Sequence, residues 1–200
     1  MSNYTFAPMP PTNAENNVYA TWENGFSKEE LDEISSYCEQ RLVLSAATID
    51  REENSGTAPE WRKSQTGWIS NNDSTAWFYD KMAYIARNIN SLFYRFDLYG
   101  FQEDMQYAVY GSGGDHYDWH IDSGATTVVP RKLSFSLQLS HPLDYEGGNL
   151  EFMIGKNVDV VRRERGLIVA FPAYRLHRVT PVTKGIRKSI VVWTTGPQFR

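Results

Sequence analysis

Between residues 105 and 194 apolar side chains recur with a period of two, and this stretch limits what the chain can fold into. Leu133, Phe135, Leu137 and Leu139 alternate with Ser134, Ser136, Gln138 and Ser140, a pattern that predicts a half-buried strand. Strand-like segments also occur at 105–110, 149–154, 158–162, 166–171 and 188–194, with turn signals at Glu146-Gly147-Gly148 and Gly155-Lys156-Asn157. Upstream of residue 105 the period is helical. Ser27 and Glu30 form a capping box, Phe26 and Leu31 stand at hydrophobic-staple positions, and Leu31, Ile34, Cys38 and Leu42 follow one helical face. A second helix is predicted after a cap at Asp73 or Ser74, with Phe78, Met82, Ile85, Ile89, Leu92 and Phe96 as its packing stripe. Helices first, then a run of strands with no helix between them, predict a mainly β fold: a sandwich or barrel buttressed by helices on one face.

Two hundred residues suit one domain. The net charge of −4 argues against a nucleic-acid partner, and the longest apolar run, 167–171, is far too short to span a bilayer. Met1-Ser2-Asn3-Tyr4-Thr5 lacks the basic and apolar regions of a signal peptide, and the single cysteine, Cys38, suits a reducing compartment, so a cytoplasmic location is expected. Cys38 itself reads as a small buried apolar residue. The first twenty residues, with Pro8, Pro10 and Pro11, read as an irregular lead-in. Residues 50–63 show neither period and read as a long polar loop, a lid or binding element. Arg162, Arg163 and Arg165, interrupted by Glu164, read as a solvated hairpin.

All four histidines, His116, His120, His141 and His177, fall in the strand-rich half. In an extended strand His120 and Asp122 project from one face, so an imidazole and a carboxylate can reach one metal. His177, just after an apolar strand, can supply the third ligand. Two histidines and one carboxylate on one face of an ion leave other positions open, which suits non-haem Fe(II) oxygen chemistry. Arg187 follows ten residues after His177. Its rigid fork can hold the far carboxylate of a dicarboxylate 2-oxo acid whose other end chelates the metal. His116 reads as a solvated loop residue and His141 as a strand end.

The segment from Tyr110 through Gly111-Ser112-Gly113-Gly114, Tyr117 and His120 to Asp122 resembles the Y-x-x-G-x-x-Y-x-x-H-x-D motif of prolyl 4-hydroxylase-like Fe(II)/2-oxoglutarate-dependent dioxygenases, with one extra loop residue. Arg131-Lys132-Leu133-Ser134, Glu146-Gly147-Gly148-Asn149-Leu150 and the segment from His177 through Arg187 to Trp193 match further. Trp61-Arg62-Lys63 and Trp68-Ile69 resemble the approach to that family's core. The resemblance implies a double-stranded β-helix, a jelly-roll, cupin-like barrel with helices packed on its major sheet. Residues 1–104 would form helical support and a substrate loop, and residues 105–200 the catalytic β core, of one dioxygenase domain. It implies His120, Asp122 and His177 as iron ligands and Arg187 as the partner of 2-oxoglutarate. Tyr110, Leu150, Ser136 and Gln138 would line the cosubstrate site; Gln138 stands where some relatives carry a second tyrosine. Tyr117, Trp193 and Arg62 would face substrate. Fe(II), 2-oxoglutarate and O₂ follow as cofactors, with ascorbate as reductant, and Asp122 disfavours halogenation. The implied acceptor is a proline-containing peptide or protein, with the 50–61 loop folding over it. Hydroxylation of a free amino acid or lysyl side chain, a non-catalytic jelly-roll binding module and a zinc hydrolase are the alternatives.

Overall fold

The computed structural model describes residues 18–50, 55–123 and 129–198. The predicted lead-in at Pro8, Pro10 and Pro11 and residues 51–54 of the polar loop lie outside the described residues. The major sheet is antiparallel and runs β1 (Ala20–Trp22), β13 (Ile168–Pro172), β9 (Arg131–Gln138), β15 (Val182–Thr195), β7 (Met105–Gly111), β6 (Gln65–Ile69) and β2 (Ser45–Ala46), with β10 (Tyr145–Gly147) pairing on β15. The minor sheet runs β12 (Asn157–Val160), β11 (Leu150–Ile154), β14 (His177–Val179), β8 (His116–His120) and β5 (Arg62–Lys63). A small hairpin joins β3 (Ile49–Asp50) to β4 (Ser55–Gly56). From β7 to β9 and from β12 to β15 consecutive strands alternate between the two sheets, the double-stranded β-helix that the resemblance implies. Among the described residues no helix is long and apolar enough to cross a membrane.

Helix α1 (Lys28–Arg41) starts at the predicted capping box: the Glu30 amide donates to Ser27 Oγ (3.2 Å), and the Ser27 amide donates to Glu30 Oε2 (2.7 Å). Leu31, Ile34 and Cys38 are its buried face. Helix α2 (Ala76–Ile89) is capped after both Asp73 and Ser74: Thr75 is the N-cap, its hydroxyl accepting from the Asn72 amide and donating to the Ser70 carbonyl. The α-helix also ends before Leu92. A π-helical turn, Asn90–Tyr94, closes with Arg95 in the left-handed region, and the Asn90 side chain bonds both the amide and the carbonyl of Phe96. The extra backbone per turn moves Leu92 off the stripe to solvent, while Phe96 still packs on the core.

Both helices lie on the outer face of the major sheet. Leu133, Phe135 and Leu137 of β9, Met105 and Tyr107 of β7, Ile190 and Val192 of β15, and Phe78, Met82 and Ile85 of α2 form one core. The opposite face of the same strands turns inward. Ser134, Ser136 and Gln138 are buried, so β9 is not half-exposed as its alternation predicts: its polar face looks into the barrel. A second cluster, Leu150 and Phe152 of β11 with Val169 and Phe171 of β13, joins the sheets at the barrel's closed side.

Other boundaries shift for physical reasons. Arg62–Lys63, read as loop, is an edge strand whose Arg62 and Lys63 pair with Tyr117 and His116 of β8. Ala20–Trp22, at the end of the predicted lead-in, is an edge strand on β13. His116 sits on β8, not in a solvated loop, with Nδ1 2.9 Å from the Gly114 carbonyl. The basic run is tied down. Arg163 donates to the Gly147 carbonyl, Arg165 donates to the Leu139 carbonyl and pairs with Asp32, and Arg162 pairs with Glu23.

Candidate metal and cosubstrate site

His120 and His177 face each other across the β8–β14 pair as direct register partners, which puts both rings on one sheet face with centroids 4.1 Å apart. His120 is the last residue of β8, so Asp122 does not share its face by strand alternation. Instead the Asp122 and Ser123 amides donate to the Ala173 carbonyl (2.8 and 3.0 Å), and this turn aims the carboxylate back at the two rings. Each histidine is oriented through Nδ1, which lies 2.7 Å from the Asp118 carbonyl in His120 and 2.8 Å from the Arg175 carbonyl in His177. A carbonyl only accepts, so Nδ1 carries the proton and Nε2 keeps its lone pair. Both Nε2 atoms point at Asp122, 3.6 Å from Oδ1 and 3.7 Å from Oδ2. The three ligand atoms lie within 4.8 Å of one another, close enough for one ion.

The site is dry. Burial, together with His177, pushes the His120 imidazole down to about 3, against the pull of Asp122, so the ring is neutral and able to ligate. Desolvation pulls the Asp122 carboxyl up, but the two histidines hold it below the usual carboxylate range. Phe171 packs against His177 at 4.6 Å between ring centroids. Tyr117 stacks on His120 (3.4 Å), and burial pushes its hydroxyl up to about 12, which keeps the stacked ring neutral.

These residues open on a cavity of about 370 Å³ between the sheets. Its major-sheet wall is the inner face of β15, where Arg187, Ser189, Val191 and Trp193 follow at every second residue, with Gln106 and Tyr110 of β7 beside them. Arg187 is 1% exposed. Its Nη1 donates to Ser189 Oγ (3.1 Å), its guanidinium lies over Tyr110 (5.4 Å), its Nε has no partner, and no carboxylate among the described residues pairs with it. An isolated buried guanidinium is costly unless an anion completes it. Gly148 lets the chain pass close above it: with φ at +60°, a Cβ there would lie 2.9 Å from Val182 Cγ2 and 3.0 Å from Arg187 Cδ.

The cavity wall includes His120, Asp122, His177, Arg187, Tyr110, Leu150, Ser136, Tyr117, Trp193 and Arg62 from the sequence-predicted set. Gln138 is buried on the same face of β9 but does not line the cavity. Gln106, Ser189 and Arg131 were not assigned a role from sequence. The even spacing of Gln106 with Tyr110 (i, i+4) and of Ser189 with Arg187 (i, i+2) is the signal that places them on the inner face. Arg131 lies in a quoted motif; it forks onto Glu103, stacks over Trp193 (3.9 Å) and donates to the Asp122 carbonyl (3.4 Å).

The model of the 2OG-Fe(II) oxygenase superfamily matches residues 105–195. Over 80 residues, 40% of this chain, the sequence is 40% identical to a PKHD-type hydroxylase of Synechococcus sp. (strain CC9902), and that stretch spans only 36% of the relative's length. Among solved structures, a prolyl-4-hydroxylase of Pseudomonas putida matches with a TM-score of 0.70 at 19% identity, covering 90% of this chain and 92% of that one. A prolyl hydroxylase of Trichoplax adhaerens, in complex with a hypoxia inducible factor peptide fragment, matches with a TM-score of 0.73 at 17% identity, covering 90% and 84%. These two likenesses establish the shared fold.

Proposed function

Because residues 105–195 match the model of the 2OG-Fe(II) oxygenase superfamily, we propose that this chain is an Fe(II)- and 2-oxoglutarate-dependent dioxygenase that hydroxylates an unactivated C–H bond, with a prolyl residue of a peptide or protein as acceptor. One observation carries the reading: two imidazole Nε2 atoms and a carboxylate converge on one point, in the same cavity as a fully buried arginine with no carboxylate of its own. His120, Asp122 and His177 would hold Fe(II). Arg187, with Ser189 and Tyr110, would hold the far carboxylate of 2-oxoglutarate, and Leu150 and Ser136 would flank its middle. Once bound with O₂, iron and 2-oxoglutarate supply the oxidising power that turns C–H into C–OH, with succinate and CO₂ as the by-products.

The chain's own residues orient and exclude. The Asp118 and Arg175 carbonyls fix the tautomers of the two histidines, and Phe171 and Tyr117 keep water from their rings. Trp61, Trp68 and Trp193 line the cavity and offer flat apolar faces to a ring-shaped acceptor. The names of the PKHD-type relative and of the two prolyl hydroxylases, and the peptide bound to one of them, support a prolyl acceptor. In this reading residues 1–104 support the core, the 50–61 loop closes over substrate, and the lone buried Cys38 accords with a cytoplasmic setting.

Anaerobic addition of Fe(II) and 2-oxoglutarate should raise a weak visible charge-transfer band. Aerobic incubation with a proline-containing peptide library should then release succinate and add one oxygen mass to a peptide. Asp122→Ala should abolish both, and succinate release that survives this substitution would exclude Asp122 as a ligand.

A further inference from the structure

The cavity wall carries three guanidinium groups, and their partners differ. Arg131 is neutralised by Glu103, and Arg187 is reserved by the reading above for 2-oxoglutarate. Arg62 donates only to neutral oxygens: Nε to Ser64 Oγ (3.2 Å) and Nη2 to Gln106 Oε1 (2.8 Å). No carboxylate among the described residues pairs with Arg62, although the residue is only 8% exposed and permanently charged. Among the described residues, the only other charged one in the wall is Asp122. A ferrous ion and the 2-oxoglutarate dianion would cancel each other, while Asp122 and Glu103 would offset two of the three arginines. Among the described residues one positive charge is left, and Arg62 is the arginine without an anion. Burying a cation that way is costly unless a ligand brings the missing charge.

Arg62 is placed to meet substrate rather than 2-oxoglutarate. Its partner Gln106 and the Arg187 neighbour Tyr110 lie four residues apart on the inner face of β7, roughly 13 Å at strand rise. The Arg62 guanidinium lies 4.5 Å over the Tyr117 ring, which stacks on His120, so it flanks the metal ligands from the minor-sheet edge. Beside it, Trp61 and Trp68, each nearly half exposed, form an apolar rim. We propose that Arg62 binds a carboxylate carried by the substrate itself. The acceptor is then a free amino acid, or the C-terminal residue of a peptide, rather than a residue flanked by neutral peptide on both sides. This rests on the dioxygenase reading and narrows its acceptor.

The test uses probes that differ only in that charge: N-acetyl-L-proline, N-acetyl-L-leucine and a peptide ending in proline, each against its C-terminal amide. Binding to the anaerobic, Fe(II)- and 2-oxoglutarate-loaded protein is followed through quenching of its tryptophan fluorescence. At least one acid should bind about tenfold or more tighter than its amide, the size of a charge-assisted hydrogen bond. Arg62→Gln should bring that ratio to about one, and Arg62→Lys should keep part of it. A ratio near one in the wild type, no binding of either member of any pair, or an undiminished ratio in Arg62→Gln overturns the proposal. A prior titration with 2-oxoglutarate separates the two readings. If 2-oxoglutarate does not bind, both fall; if it binds but acids and amides are not distinguished, only the role of Arg62 falls.

Discussion

The two faces of the major sheet are made from the same strands and do opposite work. On β9 and β15 the outward side chains, Leu133, Phe135, Leu137, Ile190 and Val192, are fully or almost fully buried among the apolar side chains of α1 and α2. The inward ones, Ser134, Ser136, Arg187 and Ser189, are hidden yet polar, and two buried donor atoms of inward β15 side chains, Arg187 Nε and Trp193 Nε1, have no partner. Unpartnered buried polar atoms are rare because each costs free energy, and these two belong to residues that line the cavity. The outer face therefore accounts for stability, and the inner face trades stability for a ligand that completes it. Period-two geometry makes this division possible, since one strand presents two unrelated surfaces.

The largest expected effect breaks the outer face. Phe135→Ala removes a fully buried ring and should cost about 3–5 kcal/mol of unfolding free energy by the cavity it leaves. Urea denaturation measures this; a loss below about 1 kcal/mol would mean that this face does not carry the core. Arg187→Ala probes the inner face in the opposite sense. If the arginine pairs with 2-oxoglutarate, its removal should weaken cosubstrate binding by about 2–5 kcal/mol. The ligand-free protein should unfold no more easily, because what is removed is a buried cation without an ion partner. Titration calorimetry and a melting curve read the two halves. A melting temperature that falls as far as that of Phe135→Ala would erase the distinction between the faces.

How much of this was legible in the sequence also divides by face. The outer face shows itself, since apolar residues at alternate positions have one explanation. The inner face of β9 reads as solvent-exposed, because a pattern of Ser134, Ser136 and Gln138 looks the same whether it meets bulk water or an enclosed ligand cavity. The edge strand holding Arg62 is two residues long and has no period to detect, and the short β2 and β14 share that problem. His120, Asp122, His177 and Arg187 were legible through the spacing of a family motif. The alternation argument for His120 and Asp122 is not what joins them, since β8 ends at His120 and a tertiary bond to the Ala173 carbonyl turns Asp122 inward. Local pattern named residues that the fold brings together, and a contact some fifty residues away along the chain sets their geometry.

The smallest effect sharpens the outer face. Cys38 lies on the buried side of α1, fully covered, and burial with the nearby Glu39 pushes its thiol up to about 12. The thiolate is the nucleophile, so at pH 8 the folded protein should hardly react with iodoacetamide, and reaction should resume in urea. The sign of the linked stability follows from the same shift. Unfolded, the thiol ionises near its ordinary value of 9, whereas the folded chain keeps its proton up to about 12. The folded state therefore binds more protons between those values, and stability is full below pH 9 and falls as pH rises towards 12. Comparing unfolding free energies of the wild type and Cys38→Ala at pH 8 and pH 10.5 isolates this contribution: the gap between them should shift against the wild type at the higher pH. Rapid alkylation of the native protein at pH 8, with no shift in that gap, would mean that water reaches the helix–sheet interface, and that the outer face is not the dry one.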